Sequence, residues 1–388
     1  MKSKVAIIEC KTYDQAEVRQ AVLKAVELLG GWQAFVQPSE EIILKPNLLT
    51  KCAPEKACTT HPAVFRAVGQ LMQEAGYRNL KFGDSPGPSL AGVAAVADGC
   101  GILKEAQELN IPLADFEHGS KVEFPEGRTA KEFIICDGVL KADAIINICK
   151  MKTHQLERIT GAVKNTFGCV HGVNKGAAHA VYPNADVFGQ MIGDLNAFIK
   201  PRLHIMDGIV AMEGNGPQSG DPVAMNVILA SSDPVAIDSI FCRLVHLEPA
   251  LVATNVHGQN SGAGTMSEIE IITEDGIMTI SEAVAMWGNP EFKVERQKEY
   301  KGRINMIKFI QPLLDKKPYV IKDKCVSCGI CIEACPLDPK AIFFKNGKPA
   351  YNHRKCIKCY CCQEMCPKKA IDVKTTKLAN LLNRQWKI

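Results

Sequence analysis

The sequence has little of what marks membrane, secreted or nucleotide-binding chains. No apolar run approaches the ~18 residues of a spanning helix, which excludes a helical membrane bundle. The opening stretch Met1 to Glu9 has too short an apolar run for a secretion signal. It reads as a first strand, in a chain expected to be cytoplasmic. Aromatic residues make up only 6%, against 46% hydrophobic and 23% charged, an ordinary globular composition that leaves no place for disorder or collagen-like repeats. There is no P-loop, and no G-x-G-x-x-G follows the first strand, so nucleotide binding has no motif to support it. Cysteine is the exception, with 17 in 388 residues. In a reducing compartment that count argues for metal or redox chemistry rather than disulfides.

The cysteines and the charges divide at the same place. Eight cysteines are scattered from Cys10 to Cys242, while nine fall between Cys325 and Cys366. From Glu291 onward the chain carries 22 Lys+Arg against 9 Asp+Glu, leaving 24 against 33 before it. An acidic body and a basic, cysteine-rich end are expected to be separate domains. We place an α/β domain at 1–298, a basic linker at 299–318, a cluster domain at 319–374 and a helical tail at 375–388. The basic end lacks a reading helix or an aromatic-studded stripe, so nucleic acid is not the expected partner. A basic surface also suits an acidic electron carrier.

Two blocks repeat with an offset of 31 residues: Cys325-x-x-Cys328-x-x-Cys331-x-x-x-Cys335-Pro and Cys356-x-x-Cys359-x-x-Cys362-x-x-x-Cys366-Pro. This spacing resembles bacterial ferredoxins that hold two 4Fe–4S clusters. The resemblance implies one cluster on Cys325, Cys328, Cys331 and Cys366, and another on Cys356, Cys359, Cys362 and Cys335. A zinc ribbon would use two C-x-x-C pairs instead. An Ala-Ile pair follows each block, at Ala341-Ile342 and Ala370-Ile371. Cys361 stands outside the spacing and is expected to be a bystander. Two clusters in one small module imply an electron relay and an anaerobic setting.

Short apolar runs recur in the body: Lys4–Glu9, Glu41–Lys45, Asn79–Asp84, Asp143–Cys149, Leu203–Asp207 and Asn226–Ala230. Helical spacing lies between them, most clearly at Gln15–Leu29 and Ala63–Ala75. Strand alternating with helix predicts an α/β fold, a mostly parallel sheet with flanking helices, followed by a small α+β ferredoxin-like domain.

In an open α/β sheet, ligands bind beyond the carboxyl ends of strands. Five of these runs end in polar residues, which predicts one shared rim. Turn chemistry alone accounts for Ser85-Pro86-Gly87 and Ser232-Asp233-Pro234. It does not account for Lys45, Lys150, Lys152 and His154. The segment from Asn147 to His179 is the densest in polar residues, and Thr160, Lys164 and Gly168 are spaced to share a helical face. Lysines in a cleft suit a small anionic substrate, and a desolvated lysine can serve as acid, base or nucleophile. Lys152, His154, Lys164 and His61 are therefore candidate catalytic groups. Cys169 is a candidate thiol nucleophile, against the plainer reading of a buried thiol. Lys45, Asn47, Asp84, Ser85, Lys150, Thr160, Asn165 and Glu213 are candidate substrate contacts. Cys169, His171 and His179, with His154 or His61, would suit a mononuclear metal, although scattered histidines serve equally as caps and no such site is expected. Glu213 to Gly220 holds three glycines in a row of seven and is expected to be mobile or closely approached by a ligand.

These pieces carry a family resemblance. Lys45-Pro46-Asn47, Thr59-Thr60-His61-Pro62, Gly83-Asp84-Ser85-Pro86-Gly87, Lys150-Met-Lys152-Thr153-His154, Thr160-Gly161-x-x-Lys164-Asn165-x-x-Gly168 and Asp207-Gly208-Ile209 are similar to the domain of unknown function 362 family, over roughly residues 40 to 245. Members often carry a fused ferredoxin module. A fold-level resemblance to the nickel-dependent lactate racemase group transfers no residue, because no motif is shared.

The residues and the resemblance together lead to an iron–sulfur oxidoreductase, working in the reductase direction. It would relay single electrons from a soluble low-potential carrier to a small anionic molecule in the Lys/His cleft. The alternatives are a non-catalytic electron-transfer subunit docking a partner enzyme, a non-redox isomerase whose clusters are structural or regulatory, and a metal- or sulfur-delivery protein.

Overall fold

The computed structural model describes residues 2–87, 92–172, 174–297 and 316–374. The expected tail at 375–388 and nearly all of the expected linker at 299–318 lie outside the described residues.

The strands, in chain order, are β1 (Ser3–Glu9), β2 (Ile42–Pro46), β3 (Leu80–Phe82), β4 (Gly119–Glu123), β5 (Glu132–Cys136), β6 (Ala144–His154), β7 (Arg158–Thr160), β8 (Leu203–Glu213), β9 (Asp221–Ser231), β10 (Ile269–Thr273) and β11 (Gly276–Met278). The main sheet runs β11-β10-β1-β9-β8-β6-β2-β3, with β7 paired to β6, and helices flank it. It is a mostly parallel mixed sheet of the expected α/β class. β2 and β6 are buried at every position, as strands covered on both faces must be. The helix Gln15–Leu28 starts where the Asp14 side chain accepts the Ala16 and Glu17 amides. The helix Pro62–Glu74 starts at His61, with proline in its first turn.

β3, β2, β6 and β8 run parallel, so their carboxyl ends share one rim, as predicted. The fifth expected end does not join them. β9 is antiparallel to β8, with Ser231 opposite His204 and Asp221 opposite Glu213. Its polar end at Ser232-Asp233 therefore sits on the opposite rim. There Asp233 caps the helix Pro234–Leu244 through the Val235 and Ala236 amides. The shared helical face at Thr160 to Gly168 is also corrected. Thr160 closes β7, and helix begins only at Ala162, where the buried Asp238 carboxylate accepts the Ala162 and Val163 amides at 2.6 and 3.0 Å. One disulfide, unexpected from the sequence, joins Cys52 and Cys58 in the loop after β2, packed on Ala57 and Met212.

In the C-terminal module, β12 (Lys317–Val320) pairs with β15 (Ile371–Lys374), and β13 (Ile342–Lys345) pairs with β14 (Lys348–Tyr351). The sequence repeat is a structural repeat. Ser327 and Gly329 adopt positive φ before the short helix Ile330–Glu333, as Lys358 and Tyr360 do before Cys361–Glu364. The repeated alanines also have a job: the Ala341 amide donates to Cys335 Sγ at 3.4 Å and the Ala370 amide to Cys366 Sγ at 3.2 Å.

Candidate active site between the two domains

The polar residues at the ends of the parallel strands divide into three groups. At the end of β2, Lys45 Nζ lies 2.8 Å from Asp84 Oδ1, both side chains buried. Gly168 packs against this pair so closely that a Cβ there would overlap the carboxylate, which is why the position takes no side chain. The second group surrounds Asp207. Lys150 Nζ donates to Asp207 Oδ2 at 2.7 Å and to the Tyr13 hydroxyl at 3.0 Å, and His61 stacks on the Tyr13 ring at 3.5 Å. Burial pushes His61 down to about 4, and its Nδ1 caps its own helix. Lys150 and His61 thus serve this ion pair, outside the pocket described below. A register irregularity in the pairing of β6 with β8 separates them from Lys152, two residues on from Lys150 in the same strand.

The third group centres on Lys152. Its Nζ donates to Asn47 Oδ1 at 2.7 Å and to the Cys58 carbonyl at 2.6 Å. Asn47 donates to Asn165 Oδ1, and Asn165 donates to Asn147 Oδ1, each at 2.7 Å. Asn147 in turn meets His204 Nδ1 at 2.9 Å. This buried chain of amides fixes which atom Asn47 turns toward Lys152. Burial first, then repulsion from Lys164, lowers Lys152 to about 7.

Lys152 opens onto a cleft of about 740 Å³, including its solvent-open mouth. Its α/β wall holds Asn47, Asp84, Ser85, His154, Thr160, Lys164 and Asn165. These are predicted site residues brought together. Lys175 and His179 join them; burial lowers Lys175 to about 8 and His179 to about 4. Lys164 Nζ sits over the Phe167 and Phe188 rings, 5.7 Å from each centroid.

The opposite wall belongs to the C-terminal module: Ala334, Cys361, Glu364 and Met365. His154 Nε2 lies 2.8 Å from Glu364 Oε1. Burial opposes the charge on Glu364, but His154, Lys164 and His179 together hold its carboxyl well below the usual range. His154 Nδ1 accepts the Leu156 and Glu157 amides at 3.1 Å, so its proton resides on Nε2, facing Glu364. Burial lowers His154 to about 4 despite that neighbour.

The glycine-rich hairpin between β8 and β9 is a docking edge rather than a mobile loop. Gln363 Nε2 donates to Asn215 Oδ1 at 2.8 Å and to the Asn215 carbonyl at 3.0 Å, and Lys369 Nζ donates to the Gly220 carbonyl at 2.8 Å. Pro217 of this hairpin reaches the pocket, whereas Glu213 pairs with Lys293 at 2.9 Å. Cys169 is fully buried, and that burial pushes its thiol up to about 12, leaving it protonated and a poor nucleophile. His171 is bonded to the Glu117 carbonyl and His179 is stacked on Phe188. Among the described residues no group of three or more His, Cys, Asp or Glu converges on a single-ion position.

The repeat cysteines stand in two sets of four. Cys325, Cys328, Cys331 and Cys366 ring a small, mostly apolar cup, with Val320, Val326 and Ile371 beside them and Lys368 at its wall. Cys356 faces Cys359 and Cys335, and Cys362 faces Cys356 and Cys359. Soft thiol ligands around an apolar cup, with backbone amides aimed at their sulfurs, fit iron–sulfur clusters.

Comparison with known proteins fits both halves. The family described as "Domain of unknown function (DUF362)" matches residues 42–243. The chain is a DUF362 protein. A 4Fe-4S dicluster domain matches residues 317–367, which makes this DUF362 protein an iron–sulfur protein. It is 37% identical over 259 residues to a thylakoid-associated protein of Synechocystis sp., covering 66% of this chain and 78% of that relative. Two solved structures are similar at lower level. The lactate racemase apoprotein of Thermoanaerobacterium thermosaccharolyticum shows 11% identity and a TM-score of 0.39, over 63% of this chain and 57% of that one. A Thermotoga maritima protein shows 12% identity and a TM-score of 0.36, over 66% and 61%. The chain spans less than two thirds of each of these structures. No helix among the described residues is long and apolar enough to cross a membrane.

Sequence reasoning missed the wall contributed by the module. Cys361, which the cluster spacing leaves as a bystander, lines the pocket, and Glu364 has no marker of its own in the sequence. The one available signal was Cys361 itself, a cysteine that the cluster spacing does not require.

Proposed function

We propose that this protein is an iron–sulfur oxidoreductase that passes single electrons through two 4Fe–4S clusters to a small anionic substrate in the pocket between its domains. The carrying observation is the shared wall. Lys152, Lys164 and Lys175 line one side, while Ala334 and Cys361, neighbours in sequence of the ligand thiols Cys335 and Cys362, line the other. Bound clusters supply one-electron transfer, and the chain's own side chains supply the rest. Three ammonium groups attract an anion, and the charged Glu364 on the module wall directs that anion toward the lysines. At neutral pH Lys152 exists in both forms. As an amine it donates its two hydrogens to Asn47 and Cys58; as an ammonium its third is left for the substrate. Lys152 is therefore the proton donor in this reading, and His154 clamps Glu364.

The test reduces the holoprotein with dithionite and mixes it anaerobically with 2-oxo acids, enoates and acyl phosphates, following the return of cluster absorbance. At least one anion should reoxidise the protein, and Lys152→Met should slow that step by roughly 10²-fold or more. Equal behaviour of both proteins toward every acceptor, including no reaction in either, sinks the reading.

A further inference from the structure

We propose that the outward face of the ferredoxin module, around Cys328, is the docking surface for an acidic single-electron carrier protein. This rests on reading the module as an electron relay, and it names the partner that feeds it. Seven large hydrophobic side chains are exposed among the described residues, and Val326, Phe343 and Phe344, at 59, 44 and 49% exposure, belong to this small module. Val326 stands two positions before Cys328, and the Phe344 ring comes 3.8 Å from where a Cβ on Gly329 would stand. Cys328 is the exposed member of the described free cysteines. The hairpin carrying Phe343 and Phe344 is tied to the ligand loop: Ser327 Oγ donates to the Gly347 carbonyl at 2.7 Å and Lys348 Nζ to the Cys325 carbonyl at 2.5 Å.

Single exposed apolar side chains need no explanation, but a group of them beside an exposed ligand thiol does. Its rim states the charge of the partner. Lys322 and Lys324 are exposed just before Val326 in the chain and Lys345 just after Phe344, with Asp323 between the first two, in a part of the chain where Lys+Arg outnumber Asp+Glu by 22 to 9. Lysines draw an acidic carrier in and orient it, and the apolar centre seats it over the thiol. The second repeat presents no such face, because Cys359, the counterpart of Cys328, is 7% exposed. In the transfer, one electron leaves the reduced carrier and enters the module, with no bond made and no proton moved.

The experiment uses holoprotein and a reduced flavodoxin-class protein of net negative charge as the probe, mixed anaerobically in a stopped-flow instrument. The second-order rate should fall as salt rises. At low salt the double variant Lys324→Glu/Lys345→Glu should lower it about tenfold or more. Calorimetric binding of the oxidised probe should weaken in parallel, and Phe344→Ala should weaken it at all salt concentrations. Reduction by dithionite, which needs no docking, should stay at the wild-type rate and shows that the clusters are intact. Lys104→Glu, at an exposed side chain of the α/β domain, should change nothing. Unchanged rate and binding in the double variant, or an equal loss with Lys104→Glu, overturns the proposal. Self-association that Phe344→Lys abolishes, or binding to anionic vesicles through the same residues, overturns it in favour of another occupant. Reoxidation of the dithionite-reduced protein by a small anion is a separate measurement, so the proposed function can stand if this surface fails.

Discussion

In the first repeat of the ferredoxin module, Cys328 is exposed and Val326 and Phe344 face outward. In the second, Cys359, Cys361 and Cys362 are buried, and Cys361 forms part of the pocket wall. The spacing of the thiols is the same in both, and so are the positive-φ turns that present them. What differs is the neighbour: solvent for one, the Lys/His rim of the α/β domain for the other. In the proposed relay, an internally symmetric module would acquire direction from where it is docked rather than from its cysteines. The residues that dock the second repeat, Gln363, Glu364 and Lys369, are not cysteines at all.

Removing one ligand from each side should separate the repeats most sharply. Cys359→Ala should cut reoxidation by an anionic acceptor at least about 100-fold, whereas Cys328→Ala should chiefly impair electron entry from a protein carrier. Iron analysis and EPR of the reduced proteins confirm which set was lost, and equal effects on both assays would erase the comparison. Next in size is pH. Because burial lowers Lys152 to about 7, its ammonium form, the proposed proton donor, is present below that value and is lost as pH rises through it. The acceptor-dependent rate should therefore fall about tenfold per unit on the alkaline side, and Lys152→Met should flatten the profile.

Glu364→Ala tests the docking itself. Loss of a buried, charge-assisted contact with His154 is expected to cost about 1.5–3 kcal/mol, mostly felt at the interface. Hydrogen exchange at Asn215 to Gly220 should speed up while the sheet core stays protected. The smallest effect concerns the amide chain behind Lys152. His204→Leu removes its terminal acceptor and loosens the hold on Asn47, whose oxygen favours the ammonium form. The midpoint for reductive methylation of Lys152, followed by mass spectrometry, should drop by less than about one pH unit, since a neutral hydrogen bond is worth about 1 kcal/mol.

The legible and illegible parts of the site have physical reasons. Strands β2 and β6 could be read because their apolar runs ended in lysines that no turn requires, and β8 because its run stopped at Asp207-Gly208. The 4Fe–4S dicluster domain could be read because the spacing within each cysteine block is local. Strand direction was not readable: β9 has the same apolar content whichever way it runs, so Ser232-Asp233 was assigned to the wrong rim. Lys150 and Lys152 look equivalent in sequence, yet one faces Asp207 and the other Asn47, because the neighbouring strand loses register between them. Glu364 was invisible for a different reason. A carboxylate gains meaning as a pocket wall only once two distant segments meet.

The β8–β9 hairpin has a consequence for engineering. It carries Asn215, Gly216 and Gly220, the acceptors that seat the module, and Pro217, which touches the pocket. In the proposed function it would work as a spacer gauge, setting how far the inner thiols stand from Lys152. A ferredoxin module grafted from another protein would inherit this gauge only if the hairpin travelled with it. Lengthening the hairpin by a few residues would detune the gap while leaving every cluster ligand in place.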